Sequence, residues 1–192
     1  MSLALLDADV RTAPFAHATH GAPLPPELCE AALTWMETDA PWVLRVASFY
    51  EQWEVHLEPQ ALPDDLHPLL VGDTVDDLQR LLLVPIAGVS LRLIEVTAHK
   101  LVPGQTIRVH NDHRPTGETH RLLIQLNRGW EDDQGGLLLL FGTASADDVR
   151  RILRPTHRSG MAFAISPHSF HAVSTIQRGE RYTLVYSFDG AN

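Results

Sequence analysis

The sequence predicts a mainly β fold, a double-sheet jelly roll with flanking N-terminal helices, on three observations. Seven or eight short apolar and β-branched runs follow one another between residues 89 and 188, separated by Gly, Pro and charged turns. One of them, residues 137–141, is continuously apolar, as a strand covered on both faces should be. Only two stretches, both before residue 90, carry the helical period.

Length and composition agree with this class. At 192 residues, with 44% apolar and 20% charged residues, the chain can bury one good core, so a single domain over 1–192 is expected. Within it, 1–89 reads as a supporting region and 90–189 as the core. No apolar run approaches the ~18 residues that a membrane helix needs. A net charge of −9 argues against tracking phosphates, which sets nucleic acid aside as a partner. The first residues lack the basic region of a secretory signal, and one cysteine, Cys29, allows no internal disulfide; both point to the cytoplasm.

In chain order, residues 1–24 read as an extended entry with one strand near Phe15, its His17 and His20 in solvent. Pro25, Pro26 and Glu27 suit a helix start, and Leu28, Ala32, Trp35 and Met36 then recur on one face until Pro41. Aromatic and β-branched residues over 42–57 predict one or two strands. The pair His56 and Glu58 there reads as surface, because Pro59 ends the strand. Thr74 offers an N-cap hydroxyl with Asp77 as the acid at N3, ahead of Leu78, Leu81, Leu82 and a stop at Pro85.

From Val89 onward the pattern is β. Strands are expected over 89–97, 120–127, 137–141, 152–153, 161–165, 170–176 and 181–188, with 128–136 a polar turn and 147–151 a charged connection. Trp35, Trp42, Trp53 and Trp130 read as packing, His99 as a satisfied strand histidine, and His113, His120 and His168 as partly exposed polar residues. Cys29 lacks a neighbouring base, so it is no nucleophile. Asp132 and Asp133 read as a solvated turn.

The chemistry gathers after the Pro103-Gly104-Gln105 turn. If the strand there continues through Asp112, alternation puts His110 and Asp112 on one face. His171 is the candidate third ligand. Two imidazoles and one carboxylate on one face of an octahedron suit non-haem Fe(II) and oxygen. A zinc hydrolase fits less well, since the motif supplies no extra general base.

With these residues, the segment 90–189 resembles the Fe(II)- and 2-oxoglutarate-dependent oxygenases, within them the prolyl hydroxylase branch. The matching features are Pro103-Gly104-Gln105 before His110 and Asp112, Leu126-Asn127 with Trp130, Gly135-Gly136 with Leu138, Pro167 before His171, and Arg181 with Thr183 ten residues after His171. The resemblance implies a double-stranded β-helix (cupin-like jelly roll) and a dioxygenase that hydroxylates an unactivated C–H bond at the expense of 2-oxoglutarate and O2. It implies His110, Asp112 and His171 as ligands of Fe(II), and Arg181 and Thr183 on the distal carboxylate of 2-oxoglutarate. Gln125 stands where many relatives place a tyrosine that also touches 2-oxoglutarate, and Leu101 lies near the place of another; an amide can serve the first role. The implied substrate is a peptide or protein side chain; the alternatives are a free amino acid or small natural product, or a non-catalytic cupin-type metal or ligand module. Arg181 with Thr183 argues against the last, which needs no carboxylate anchor. The loop 113–119 is expected to border the substrate entrance. Oligomeric state is not readable.

Overall fold

The computed structural model describes residues 8–190. The reading of the first residues as a non-secretory start falls on residues 1–7, outside the described part. The strands are β1 (Asp9–Arg11), β2 (His17–His20), β3 (Val43–Val46), β4 (Glu51–His56), β5 (Arg92–Leu101), β6 (Ile107–His110), β7 (His120–Gln125), β8 (Leu138–Phe141), β9 (Val149–Leu153), β10 (Gly160–Ala164), β11 (His171–Val173) and β12 (Arg181–Asp189). They form two antiparallel sheets: eight strands in the order β1-β2-β10-β7-β12-β5-β4-β3, and four in the order β6-β11-β8-β9. This is the expected double-stranded β-helix.

Strand alternation decides what each face does. On β12, Leu184, Tyr186 and Phe188 face outward with Val96, Ala98, Leu122 and Ile124, and the helices α1 (Pro26–Thr38), α2 (Asp73–Leu78) and α3 (Val84–Ala87) cover them. Leu28, Cys29, Ala32, Leu33, Trp35 and Met36 supply the buried side of α1, the stripe its spacing predicted. The inner face, with Leu101, Leu123 and Val185, meets Leu138, Leu140 and Val173 of the small sheet. Because β12 is covered on both sides, eight of its nine residues are buried. Leu139, on the apolar run 137–141, is only half-buried.

Several local expectations are corrected. Thr74 caps nothing: the helix begins at Asp73, and its N-cap position is Gly72, two residues before Thr74, with no side-chain cap. Pro85 does not stop it either, because a π-turn over Gln79–Leu83 leads into α3, where Pro85 sits in the first turn and needs no donor. The entry segment holds two short strands rather than one, and Phe15 precedes the second. His17 is fully buried, its Nδ1 2.7 Å from the Phe15 carbonyl, instead of solvated. The strand at 152–153 starts at Val149, so part of the charged connection is a strand edge. No helix among the described residues is long and apolar enough to cross a membrane.

Candidate metal and carboxylate site

His110 ends β6 and His171 begins β11, and the two are register partners across the small sheet. Each ring is fixed the same way. His110 Nδ1 lies 2.8 Å from the Arg108 carbonyl and His171 Nδ1 2.8 Å from the Ser169 carbonyl. A carbonyl only accepts, so Nδ1 carries the proton and Nε2 presents a lone pair to the space between the rings. Phe49 stacks on His110 at 4.6 Å, and the Phe163 edge meets His171 at 4.9 Å.

Asp112 arrives by a route different from the expected strand alternation. β6 has ended at His110, and Asp112 adopts a left-handed conformation with φ of 57°, a region open to Asp but costly for most residues. That turn brings Oδ1 to 3.4 Å from His110 Nε2 and Oδ2 to 3.1 Å from His171 Nε2. Asn111 ties the two candidate ligand segments together: its side-chain Nδ2 donates to the Pro167 carbonyl at 3.1 Å, and its backbone carbonyl accepts from Ser169 Oγ at 2.9 Å. The three ligand atoms lie within 4.8 Å of one another.

Sequence reading missed Arg121. It stands on the inner face of β7 and donates from Nη1 to Asp112 Oδ2 at 2.6 Å, while Nε and Nη2 hold both oxygens of Glu118 at 2.9 and 2.6 Å. Burial pushes the Asp112 carboxyl up, but the His110 and His171 rings beside it and the charge of Arg121 outweigh it and leave the group far below the ordinary carboxylate range. Burial pulls His171 down, against the opposing pull of Asp112. An ionised carboxylate beside a neutral imidazole is the state a borderline divalent cation requires.

The second half of the site is Arg181, 4% exposed on the inner face of β12. Its Nη1 donates to Thr183 Oγ1 at 2.9 Å, and that hydroxyl donates to Gln125 Oε1 at 3.0 Å. Arg181 Nε is buried with no partner, and among the described residues no carboxylate pairs with this guanidinium. Burial alone lowers its pKa to about 10. A buried guanidinium is stable only when an anion meets it, so the pocket is made for one. Gly136 gives it room: a Cβ there would stand 2.9 Å from Arg181 Cδ and 2.8 Å from Ile176 Cδ1, and φ is +66°.

Both halves line one cavity of about 240 Å³, together with Tyr50, Gln52, Glu54, His99 and Leu101. Gln125 is not among its lining residues and reaches it only through Thr183. His99 faces the cavity, as a strand histidine satisfied only by a 3.4 Å approach of Gln52 Nε2. His56, read as surface, stands at the rim, and Arg114 of the 113–119 loop also lines the cavity. His113 and His168 are exposed. The tryptophans pack as expected; Trp130 donates to the Gly135 carbonyl at 2.9 Å. Cys29 is buried, which raises its thiol to about 11, so it is inert. Asp132 and Asp133 are exposed and paired with Arg154 and Arg178.

Three candidate ligands that converge on one point, in the same cavity as a buried guanidinium without a carboxylate partner, fit a non-haem iron site on a jelly-roll fold. Residues 96–188 match the model of the 2OG-Fe(II) oxygenase superfamily. That segment is just under half of the chain, and with the converging His-Asp-His set it makes the protein an oxygenase that works with Fe(II), 2-oxoglutarate and O2. Solved structures share the fold at low identity. A Pseudomonas putida prolyl-4-hydroxylase is 20% identical with a TM-score of 0.75, over 91% of this chain and 92% of that one. A Trichoplax adhaerens prolyl hydroxylase, in complex with a hypoxia inducible factor peptide fragment, is 12% identical with a TM-score of 0.71, over 90% and 82%. The viral collagen prolyl hydroxylase of Paramecium bursaria Chlorella virus-1, in complex with 2-oxoglutarate, is 12% identical with a TM-score of 0.64, over 91% and 96%. Among the curated proteins there is no match.

Proposed function

We propose that His110, Asp112 and His171 hold the Fe(II), that Arg181 receives the distal carboxylate of 2-oxoglutarate, and that the enzyme hydroxylates a side chain of a peptide or protein. The observation that carries the reading is the buried guanidinium with an unpartnered Nε in the same cavity as the three converging ligands. A metal-only module has no use for it. Fe(II) with 2-oxoglutarate and O2 supplies the oxidation of an unactivated C–H bond with release of succinate and CO2. The chain's own residues do the positioning. The two carbonyl-anchored imidazoles keep their Nε2 lone pairs aimed at one point, and Arg121 keeps Asp112 ionised and holds one of its oxygens. Thr183 turns the Arg181 fork, and Gln125, in the place of a tyrosine, fixes the Thr183 hydroxyl. Leu101, Leu123 and Val185 keep the inner face dry.

A peptide or protein substrate is supported by the named neighbours, which are prolyl hydroxylases, one of them seen with a peptide fragment. The cavity, about 240 Å³, falls below the ~300 Å³ at which ordinary ligand pockets begin. Shared with 2-oxoglutarate, it admits one side chain of a larger substrate, or a small amino acid as the second reading. The lone buried thiol favours a reducing compartment, the cytoplasm.

Anaerobic addition of Fe(II) and 2-oxoglutarate to the apoprotein tests this. The weak visible metal-to-ligand charge-transfer band should appear in the wild type and vanish in His171→Ala. Bound iron without that band overturns the assignment.

A further inference from the structure

Beside Arg181, on the same sheet, the cavity has a wall of a different character. The inner face of β4 and its approach carries Tyr50, Gln52, Glu54 and His56 in alternation, and β5 continues it with Glu95, Thr97 and His99. Register sets the rows: Glu54 pairs with His99, and His56 with Thr97. On β4 and β5 this face bears no lysine or arginine; Arg45, the register partner of Gln52, joins it from β3. Lys100 points the other way, over Trp42 and Trp53.

The wall is short of positive charge. Gln52 is 3% exposed, and its Oε1 is buried with no partner while its Nε2 donates to Glu54 Oε1 at 2.7 Å. Glu54 has a side chain only 14% exposed; Tyr50 and Gln52 give it neutral hydrogen bonds, but its one permanent cation is Arg45, 3.9 Å away on an arm that is 55% exposed. Glu95, at the rim, meets only His56 among the described residues, 3.2 Å away. The cavity's own cations do not relieve this. Arg121 is saturated by Asp112 and Glu118, Arg181 stands on β12, and Arg114 belongs to the opposite loop. A half-buried carboxylate and an orphaned acceptor together call for a ligand rich in N–H and positive in charge.

We infer that the substrate presents a basic group, an ammonium or a guanidinium, to Glu54 and Gln52 with Glu95 at the rim. The inference rests on the oxygenase reading and narrows it: of the side chains and small molecules that could enter, the site selects those with positive charge close to the reacting carbon. The net charge of −9 favours the approach of such a substrate.

The probes are Nα-acetyl-L-argininamide and its neutral near-isostere Nα-acetyl-L-citrullinamide, titrated anaerobically into the Fe(II)- and 2-oxoglutarate-loaded enzyme. Binding is followed through the charge-transfer band and by calorimetry. The arginine probe should bind at least tenfold more tightly than the citrulline probe. Glu54→Gln should erase most of that ratio, and Glu95→Gln part of it; should Glu54→Gln fail to fold, the wild-type ratio and the rim variant decide. Equal binding of the two probes, or binding of neither, overturns the inference, as does an unchanged ratio in a folded Glu54→Gln protein. The band keeps the two failures apart: its absence before any probe is added sinks the oxygenase reading, whereas its presence without charge discrimination sinks only this one. Free L-arginine, run beside the amide, distinguishes a free amino acid from a peptide residue as the source of the charge.

Discussion

Arg121 carries two charges' worth of work, fixing one oxygen of Asp112 and both of Glu118. Residues that hold a metal ligand in place change metal affinity about 10- to 100-fold when lost. Arg121→Ala should therefore weaken Fe(II) binding by that factor, and Arg121→Lys should recover part of it; an unchanged dissociation constant in both would show that Asp112 is held without it. Gly136→Ala acts on the other half of the site. Its Cβ would press on Arg181 Cδ from 2.9 Å, so the KM for 2-oxoglutarate should rise at least severalfold while Fe(II) affinity holds. A normal KM in that variant would mean the guanidinium is not where 2-oxoglutarate binds. The two residues differ in how visible they were. Gly136 belongs to a motif, but Arg121 lies nine positions after Asp112, across the 113–119 loop, and the left-handed turn at Asp112 brings the pair together. His17 was misread for a related reason: nothing local to a short, irregular segment says that a strand of the large sheet will bury it.

The elements that sequence placed well are those with a strong period, α1 and β12. Along β12, Arg181, Thr183, Val185 and Ser187 alternate with Tyr182, Leu184, Tyr186 and Phe188, so one strand reports both the polar cavity and the apolar helix layer. The stretch from Asp73 to Ala87 was harder, because a proline and a capping hydroxyl suggested boundaries that packing overrides. The π-turn there adds a residue to one coil and turns Leu82 and Leu83 into the sheet. Leu82 Cδ1 lies where a Cβ on Gly160 would come within 3.1 Å, so it fills the space against β10. Leu82→Ala should cost about 2–5 kcal/mol in denaturant unfolding, as a fully buried leucine does, and half-buried Leu81→Ala distinctly less. Equal costs would mean that the turn does not direct the burial.

Across the whole molecule, the two covered faces of the large sheet enclose histidines that stay neutral. Burial lowers His99 to about 3, helped by the charges of Arg121 and Arg181. Burial also pulls His17 and His171 below the ordinary imidazole value. In the unfolded chain each of these groups takes a proton near pH 6.5. Below that pH the unfolded state binds more protons than the folded one, so stability is fully present above it and falls as the pH drops; for His99 the loss continues to about pH 3. Each such histidine contributes a slope of at most about 1.4 kcal/mol per pH unit. The apoprotein should accordingly lose stability between pH 6.5 and 4.5, by reversible denaturation in urea, and His99→Gln should flatten the slope by up to one proton. Gln keeps a polar side chain beside Gln52 without a titrating ring. A profile that is flat in the wild type, or no shallower in His99→Gln, would place a proton on His99 in the folded state, and the cavity wall would then already hold the positive charge that it otherwise awaits from a substrate.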